Sequence, residues 1–300
     1  MIKRGIKAFV MAVCTAVIAG FIGPTSWAGG LLDVRFEDAD FSGFIGSFVI
    51  DNPYWPLNPD GQPRTFTYVN DADDECVISQ LAYRGNTYTL TTADTTSPYY
   101  MFTALEIEDT EWVFEDVDVC DTSLLPNDDA ITEDTRDWFA MDARQNIWYL
   151  GEHTQIFDEE EGCPLYPGLG AGAHCFEGSW EAGLDGPDPE EELIGEAGIV
   201  VPGDEPVDGQ PLEPGNYYMQ EVAEGAEDMA KILRLGADVS TDYFEDNEGC
   251  RKVKEWTALD PGSSVEHKWY CPGPGLVLVE ETGGGKTAVE ELVSIDPALP

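Results

Sequence analysis

The sequence predicts a mainly β protein: an antiparallel curved sheet, half-barrel or barrel, with a C-terminal four-strand meander and little helix. Three observations predict it. Short β-branched and aromatic runs recur along the chain, turn residues punctuate them, and only one segment carries competing helical spacing.

In MIKRGIKAFVMAVCTAVIAGFIGPTSWAGG, Lys3, Arg4 and Lys7 form a basic start, Ala8 to Ile22 an apolar run, and Ser26-Trp27-Ala28 a small-x-small cleavage site. That is the pattern of a secretory signal peptide. It predicts a leader over 1–28, an N-terminal extension over 29–51 and a single β-rich domain over 52–296. The run is shorter than the roughly 20 apolar residues of a membrane span, and no later segment approaches that length. The expectation is a secreted or periplasmic protein with no transmembrane segment after cleavage. Cys14 sits inside the run behind Met11-Ala12-Val13, whereas a lipoprotein cysteine would close it; lipid anchoring is the alternative.

Beyond the leader, twelve Lys or Arg face 59 Asp or Glu, a net charge near −47. Nucleic acid is not an expected partner, because phosphate binding needs a basic surface. A solvated, self-repelling surface suited to a saline, halophilic setting is one meaning of so much acid; sites for multivalent cations are the other. None of DADDE, NDDAITED, DEEEG or FEDNEG fits the calcium-loop template, so no cofactor is predicted beyond weak calcium binding, and the identity of any metal stays unknown.

Six cysteines follow the leader: Cys76, Cys120, Cys163, Cys175, Cys250 and Cys271. An even number in an exported chain reads as disulfides. Cys163 and Cys175 bracket the Gly and Pro loop PLYPGLGAGAH, Cys250 and Cys271 lie on two segments that read as neighbouring strands, and Cys76 and Cys120 are left for each other. No C-x-x-C supports a redox or zinc site.

RTFTYV (64–69), CVISQLAY (76–83), TYTLTT (87–92) and MFTALEI (101–107) read as strands, with a tight turn at RGN (84–86). GLDGPDPEEELIGEAG (183–198) reads as a long acidic surface loop with one helical turn, and EGAEDMAKILRLG (224–236) as helix or strand alike. CRKVKEWTAL, SVEHKWYC, GLVLVEE and TAVEELVSI, separated by DPGS, PGP and TGGGK, form the meander.

The richest stretch is DTRDWFAMDARQNIWYLGEHT, Asp134 to Thr154. DARQ (142–145) reads as a turn. Pairing Met141 with Asn146 sets Phe139 opposite Trp148, Asp137 opposite Leu150 and Thr135 opposite Glu152 on one face. The other face pairs Ala140 with Ile147, Trp138 with Tyr149, Arg136 with Gly151 and Asp134 with His153. Both faces are apolar near the turn and charged farther away, so the hairpin is expected to be covered on both sides.

Asp137 and Glu152 become diagonal neighbours, and two partly buried carboxyls so close cannot both ionise cheaply. A cation, a metal ion or a retained proton must compensate. Lys268 in EHKWY is the natural cation, and Asp137, Glu152, Arg136 and Lys268 could form a structural ion-pair network. The functional alternatives are a ligand or metal site, or an acid–base pair.

The histidines His153, His174 and His267 are too scattered for a metal cluster, and no G-x-S-x-G nucleophile elbow occurs. GGGKT (283–287) lacks the first glycine of a phosphate loop, since Glu280 stands there.

The series NPYWPLNPDGQ (52–62), DTRDWFAMDARQNIWYLGE (134–152), GSWEAGLDG (178–186), YYMQEVAEGAEDMA (217–230) and EHKWYCPGPGLV (266–277) resembles a family of secreted bacterial proteins of uncharacterised function, over most of the mature chain. Gln145 stands where the family pattern D-x-x-G-N-V-W-Y-F-G-E has a turn glycine. Cys271 and Pro274 depart from Y-x-P-G-V-G-L-V, and Cys271 thereby supports a chain-specific disulfide to Cys250. PGPGLV is also similar to the sheet closure of lipoprotein-carrier-like half-barrels, which wrap a curved sheet around an apolar ligand.

The functional expectation is a non-enzymatic binding or envelope-associated protein for an unknown small or apolar ligand, with a cavity lined by Trp138, Trp148, Tyr149, Trp180, Trp256 and Trp269. The candidate ligand-binding set is Asp137, Trp138, Trp148, Tyr149, Glu152, Lys268 and Trp269. Alternatives are a calcium-dependent acidic surface protein, or a carboxylate or cation-dependent hydrolase using Asp137 and Glu152 with Asp142 or Asp134 nearby.

Overall fold

Alternating apolar and polar positions carry the chain into strand after strand, because each strand can bury one side-chain row while the other faces the opposite way. The computed structural model describes residues 30–72, 75–115, 117, 119–126, 130–157, 179–183, 193–223, 227–257, 264–283 and 286–299. The strands are β1 (Arg64–Ala72), β2 (Glu75–Thr89), β3 (Thr103–Glu115), β4 (Ile131–Met141), β5 (Ile147–Ile156), β6 (Trp180–Ala182), β7 (Leu193–Val201), β8 (Tyr217–Met219), β9 (Glu221–Ala223), β10 (Asp228–Val239), β11 (Asn247–Thr257), β12 (Val265–Cys271), β13 (Gly275–Gly283) and β14 (Lys286–Asp296). Short 3-10 turns occur at Phe36–Asp38 and Thr122–Leu124. The protein is mainly β, as the sequence predicts.

All fourteen strands belong to one sheet, ordered β8-β10-β11-β12-β13-β14-β1-β2-β3-β4-β5-β6-β7-β9. Its pairs are antiparallel except β6–β7, where Trp180 lies opposite Leu193 in parallel. Two runs of consecutive strands therefore form two half-sheets. One joint between them is β1–β14, with Thr65 opposite Asp296. The other is a seam: β8 pairs with β10 at Met219↔Met229, and β9, one residue later, pairs with β7 at Gly195↔Ala223. Residues 217–223 thus span both edges and nearly close a barrel.

The C-terminal meander forms as β11 to β14 in consecutive antiparallel register. Three local readings change. RGN is no turn: β2 runs straight through it, and Tyr83↔Ile107 followed by Thr87↔Leu105 places a bulge there, which bends the strand without ending it. The segment 224–236 resolves to strand over its described part, because β10 is paired on both edges and alternates buried Ala230 and Ile232 with Lys231 and Leu233.

Within the expected acidic loop, 184–192 lies outside the described residues, but 193–198 belongs to β7. Its glycines are markers of close approach. A Cβ on Gly198 would sit 2.1 Å from the Gln220 carbonyl oxygen at the seam, and one on Gly195 would sit 2.4 Å from the Trp180 ring.

The N-terminal segment packs against the barrel. Phe36 meets Trp148 edge-on at 5.4 Å and Tyr99 at 4.8 Å, while Phe41, Phe44 and Ile50 join the same core. Farther on, buried Asn52 and Asn58 bind the backbone of their own loop and of Gln145, which brings Trp55 against Phe139 and Tyr270. A smaller apolar cluster around Ile78, Trp112 and Phe114 lies beside the Cys76–Cys120 disulfide. Cys250–Cys271 joins β11 to β12, and the expected Cys163–Cys175 pair lies outside the described residues. Among the described residues no helix is long and apolar enough to cross a membrane.

Candidate functional site: an acidic barrel lumen

The β4–β5 hairpin turns at Asp142, as read from DARQ. Its carboxylate is buried and accepts from the backbone N–H of Arg144 (2.8 Å) and Asn146 (3.0 Å), the Asn146 amide (2.8 Å) and the Trp148 indole (3.0 Å). Asp142 is therefore a turn organiser, not a partner in chemistry. Gln145 holds φ +63°, the left-handed conformation that favours glycine. Because Gln145 is exposed, Gln145→Gly should stabilise the fold by about 1 kcal/mol and raise the melting midpoint by roughly 2–4 °C, read by thermal unfolding.

The register corrects the one expected from a regular hairpin. Met141 pairs with Ile147, Ala140 with Trp148 and Phe139 with Tyr149, and then Asp137 pairs directly with Glu152. Between these last two pairs β4 contributes one residue, Trp138, and β5 two, Leu150 and Gly151, so a bulge lies there. The extra residue resets the alternation, and Tyr149 and Glu152 end up on the same face.

That face is the barrel interior. A cavity of about 300 Å³ is lined by residues from β1 to β5, from β7 and from β9 to β14. Among the described residues its wall carries seven carboxyls, Asp109, Asp137, Glu221, Asp228, Glu255, Glu266 and Glu290, and a single cation, Lys268. Trp55, Phe139, Leu276 and Tyr270 supply apolar wall. Along β3 the inward row passes from Leu105 and Ile107 to half-buried Asp109 and Glu111, and along β4 from Phe139 to Asp137 and half-buried Glu133. The lumen is thus apolar toward one end and acidic toward the other.

Lys268 does not neutralise Asp137 and Glu152. Its ammonium lies 2.7 Å from Glu255 and 2.9 Å from Glu266, and these two carboxylates hold it well above the ordinary lysine range against the opposing effect of burial. Arg136 pairs with Asp134 and, at 3.1 Å, with Glu108. The expected four-residue ion-pair network is therefore absent, because bulge and sheet order hand both cations to other acids.

A proton compensates instead. The Tyr149 hydroxyl lies 2.6 Å from Asp137 Oδ1 and 2.8 Å from Glu152 Oε2. A hydroxyl has one hydrogen to donate, so one of the two carboxyls must be neutral and donate to the phenol oxygen. Burial, with the Asp137 charge next, pushes Glu152 up to about 8; burial raises Asp137 to about 7, against the Tyr149 hydrogen bond. Elsewhere in the lumen burial raises Asp228 to about 6 and Glu111 to about 7, and lifts Asp109, Glu133, Glu221 and Glu290 as well. Tyr149→Phe would leave both acids without their shared partner and should cost about 1–3 kcal/mol in urea unfolding at pH 7.

Of the residues singled out from sequence, Asp137, Tyr149 and Lys268 line the lumen. Glu152 reaches it only through Tyr149. Trp138 faces away from the lumen and stacks on Tyr88 at 3.9 Å, and Trp269 lies under the Lys252 ammonium at 4.0 Å. Trp256 lies under Lys254, and Trp180 packs edge-on against Tyr149. Trp148 borders a second cavity of about 750 Å³ between residues 31–37 and the outside of β7. The cavity wall is thus less aromatic and more acidic than expected. The missed acids, Asp109, Glu221, Asp228, Glu255 and Glu290, carried one signal, their placement at inward alternate positions of strands, and Tyr68 shares that placement.

Among the described residues no group of three or more His, Cys, Asp or Glu is arranged to hold a metal ion. No protein-family model matches the chain, and no curated protein matches it. Among solved structures it is similar to a crystal structure from Bacteroides fragilis, a protein inferred to be exported and having a YmcC-like fold. The two share 12% identity over 81% of this chain and 99% of that one, with a TM-score of 0.35.

Proposed function

We propose that this chain is an exported, non-enzymatic binding protein that holds a small molecule in its barrel lumen. Its leader pattern and disulfides support export to an oxidising compartment. The series of motifs from 52 to 277 supports a place among secreted bacterial proteins of uncharacterised function. The observation that carries the reading is the cavity of about 300 Å³, the lower end of the usual range for small-molecule sites, with polar side chains from most of the strands spread around its wall.

A carboxylate hydrolase built on Asp137 and Glu152 is less well supported. The Tyr149 hydroxyl fills the space between the two acids where a water or substrate atom would have to sit. A calcium-dependent surface role has no converging carboxylates behind it among the described residues.

Native mass spectrometry of protein purified from its source tests the proposal. The expected result is a small molecule released on denaturation, and its loss in Val279→Trp, which fills the lumen from β13. Empty wild-type protein, or equal retention in Val279→Trp, would overturn it.

A further inference from the structure

Lys268 shows what this wall does with an ammonium group. Two carboxylates, Glu255 and Glu266, grip it at 2.7 and 2.9 Å beside the Tyr270 hydroxyl, which donates to Glu255 at 3.2 Å. Five further lumen acids, Asp109, Asp137, Glu221, Asp228 and Glu290, have no ion pair among the described residues. Two polar atoms in the wall are also unanswered. The Tyr68 hydroxyl, on a side chain 1% exposed, and Asp228 Oδ1 are buried without a hydrogen-bond partner, and both residues line the cavity. An unpaired buried polar group costs about 1–3 kcal/mol, a cost that a ligand supplying the missing partner removes.

We propose that the lumen is a receptor site for a linear organic amine carrying two or three ammonium groups. This rests on the lumen-binding reading and names its ligand class. A single metal ion suits the site poorly, because it needs several ligands converging on one point, and the lumen acids do not converge. Charges spaced along a flexible chain suit acids spread around a wall. The methylenes of such a chain can lie against Trp55 and Tyr270, and aromatic faces attract ammonium groups. An anion is disfavoured by the wall's charge, and a purely apolar molecule would desolvate the acids without pairing them.

Spermidine, titrated into the full mature protein at pH 7.5 by calorimetry, is the test, with sodium chloride of matched ionic strength as reference. The expected result is saturable one-to-one binding with a rise in melting temperature beyond the salt control. Tyr68→Phe should weaken that binding about tenfold while leaving the fold as stable or more so, since it deletes an unpartnered hydroxyl; circular dichroism checks the fold. A response no larger than that to salt would overturn the proposal. So would full binding in both Tyr68→Phe and Asp228→Asn, which would place the amine on the acidic exterior. The two readings separate by mass spectrometry of source-purified protein: a retained molecule that is not an amine sinks the amine class and leaves lumen binding standing, whereas empty protein sinks both.

Discussion

Lowering the pH from 8 to 5 should stabilise this protein, with the melting midpoint rising by roughly 5 °C or more per pH unit. The direction follows from proton counting. Asp137, Glu152, Glu111 and Asp228 hold their protons in the folded state up to about 7, 8, 7 and 6, and Asp109, Glu133, Glu221 and Glu290 shift the same way. In the unfolded chain these groups ionise near 4. Between about pH 4 and 8 the folded protein therefore binds more protons, and stability falls as pH rises, by about 1.4 kcal/mol per unit for each extra proton.

Lys268 and Arg136 stay charged across this window and do not alter the slope. His153 and His267, lowered mainly by burial, oppose it below pH 6.5, but both are only partly buried. Thermal melts across the range, with Glu152→Gln as a variant that keeps the neutral form, check the account. A midpoint that peaks at pH 7–8, or a slope unchanged by Glu152→Gln, would contradict it.

Gly151→Ala should cost about 3–6 kcal/mol and scatter the lumen site. Gly151 holds φ +133°, and an added Cβ would meet the Trp180 carbonyl oxygen at 2.3 Å and Glu181 Cα at 2.9 Å. Both are backbone atoms of the neighbouring strand and cannot rotate aside, so conformational strain and overpacking add together. Gly85→Ala separates these causes: it also has positive φ, +93°, but open space around the Cβ, and should lose only about 1–2 kcal/mol. Equal losses in chemical denaturation would refute the steric part.

Why the site was only half legible follows from that glycine. Alternation and turn chemistry gave the meander and the DARQ turn, because both are local. The neighbourhood of Asp137 and Glu152 is legible from a regular register, but the place of Tyr149 between them depends on one unpaired residue in β5, which a regular register cannot see. Lys268 was matched to the wrong acids for a different reason: its true partner Glu255 lies across the β11–β12 pair, and strand neighbours in a barrel follow sheet order. The lumen acids were hidden by abundance. With 59 Asp and Glu in the chain, Asp109 or Glu290 looks like any solvated carboxylate until the sheet closes around it.

The seam makes the barrel wall unequal. At 217–223 two strands of three residues each hold the edges together, as short as the pairings of β7 with β5 and β6, whereas away from β6 and β7 the other neighbouring strands are joined along five or more residues. Local opening is cheapest where few backbone bonds must break, so these amides should be among the earliest to lose hydrogen-exchange protection. Glu221 belongs to this segment, and Asp228 begins the strand beside it. A fluctuation that parts the seam would hydrate both acids and let them ionise. Opening at the seam would thus be coupled to proton release from Glu221 and Asp228, and these amides should exchange faster at pH 8 than the intrinsic rate alone predicts.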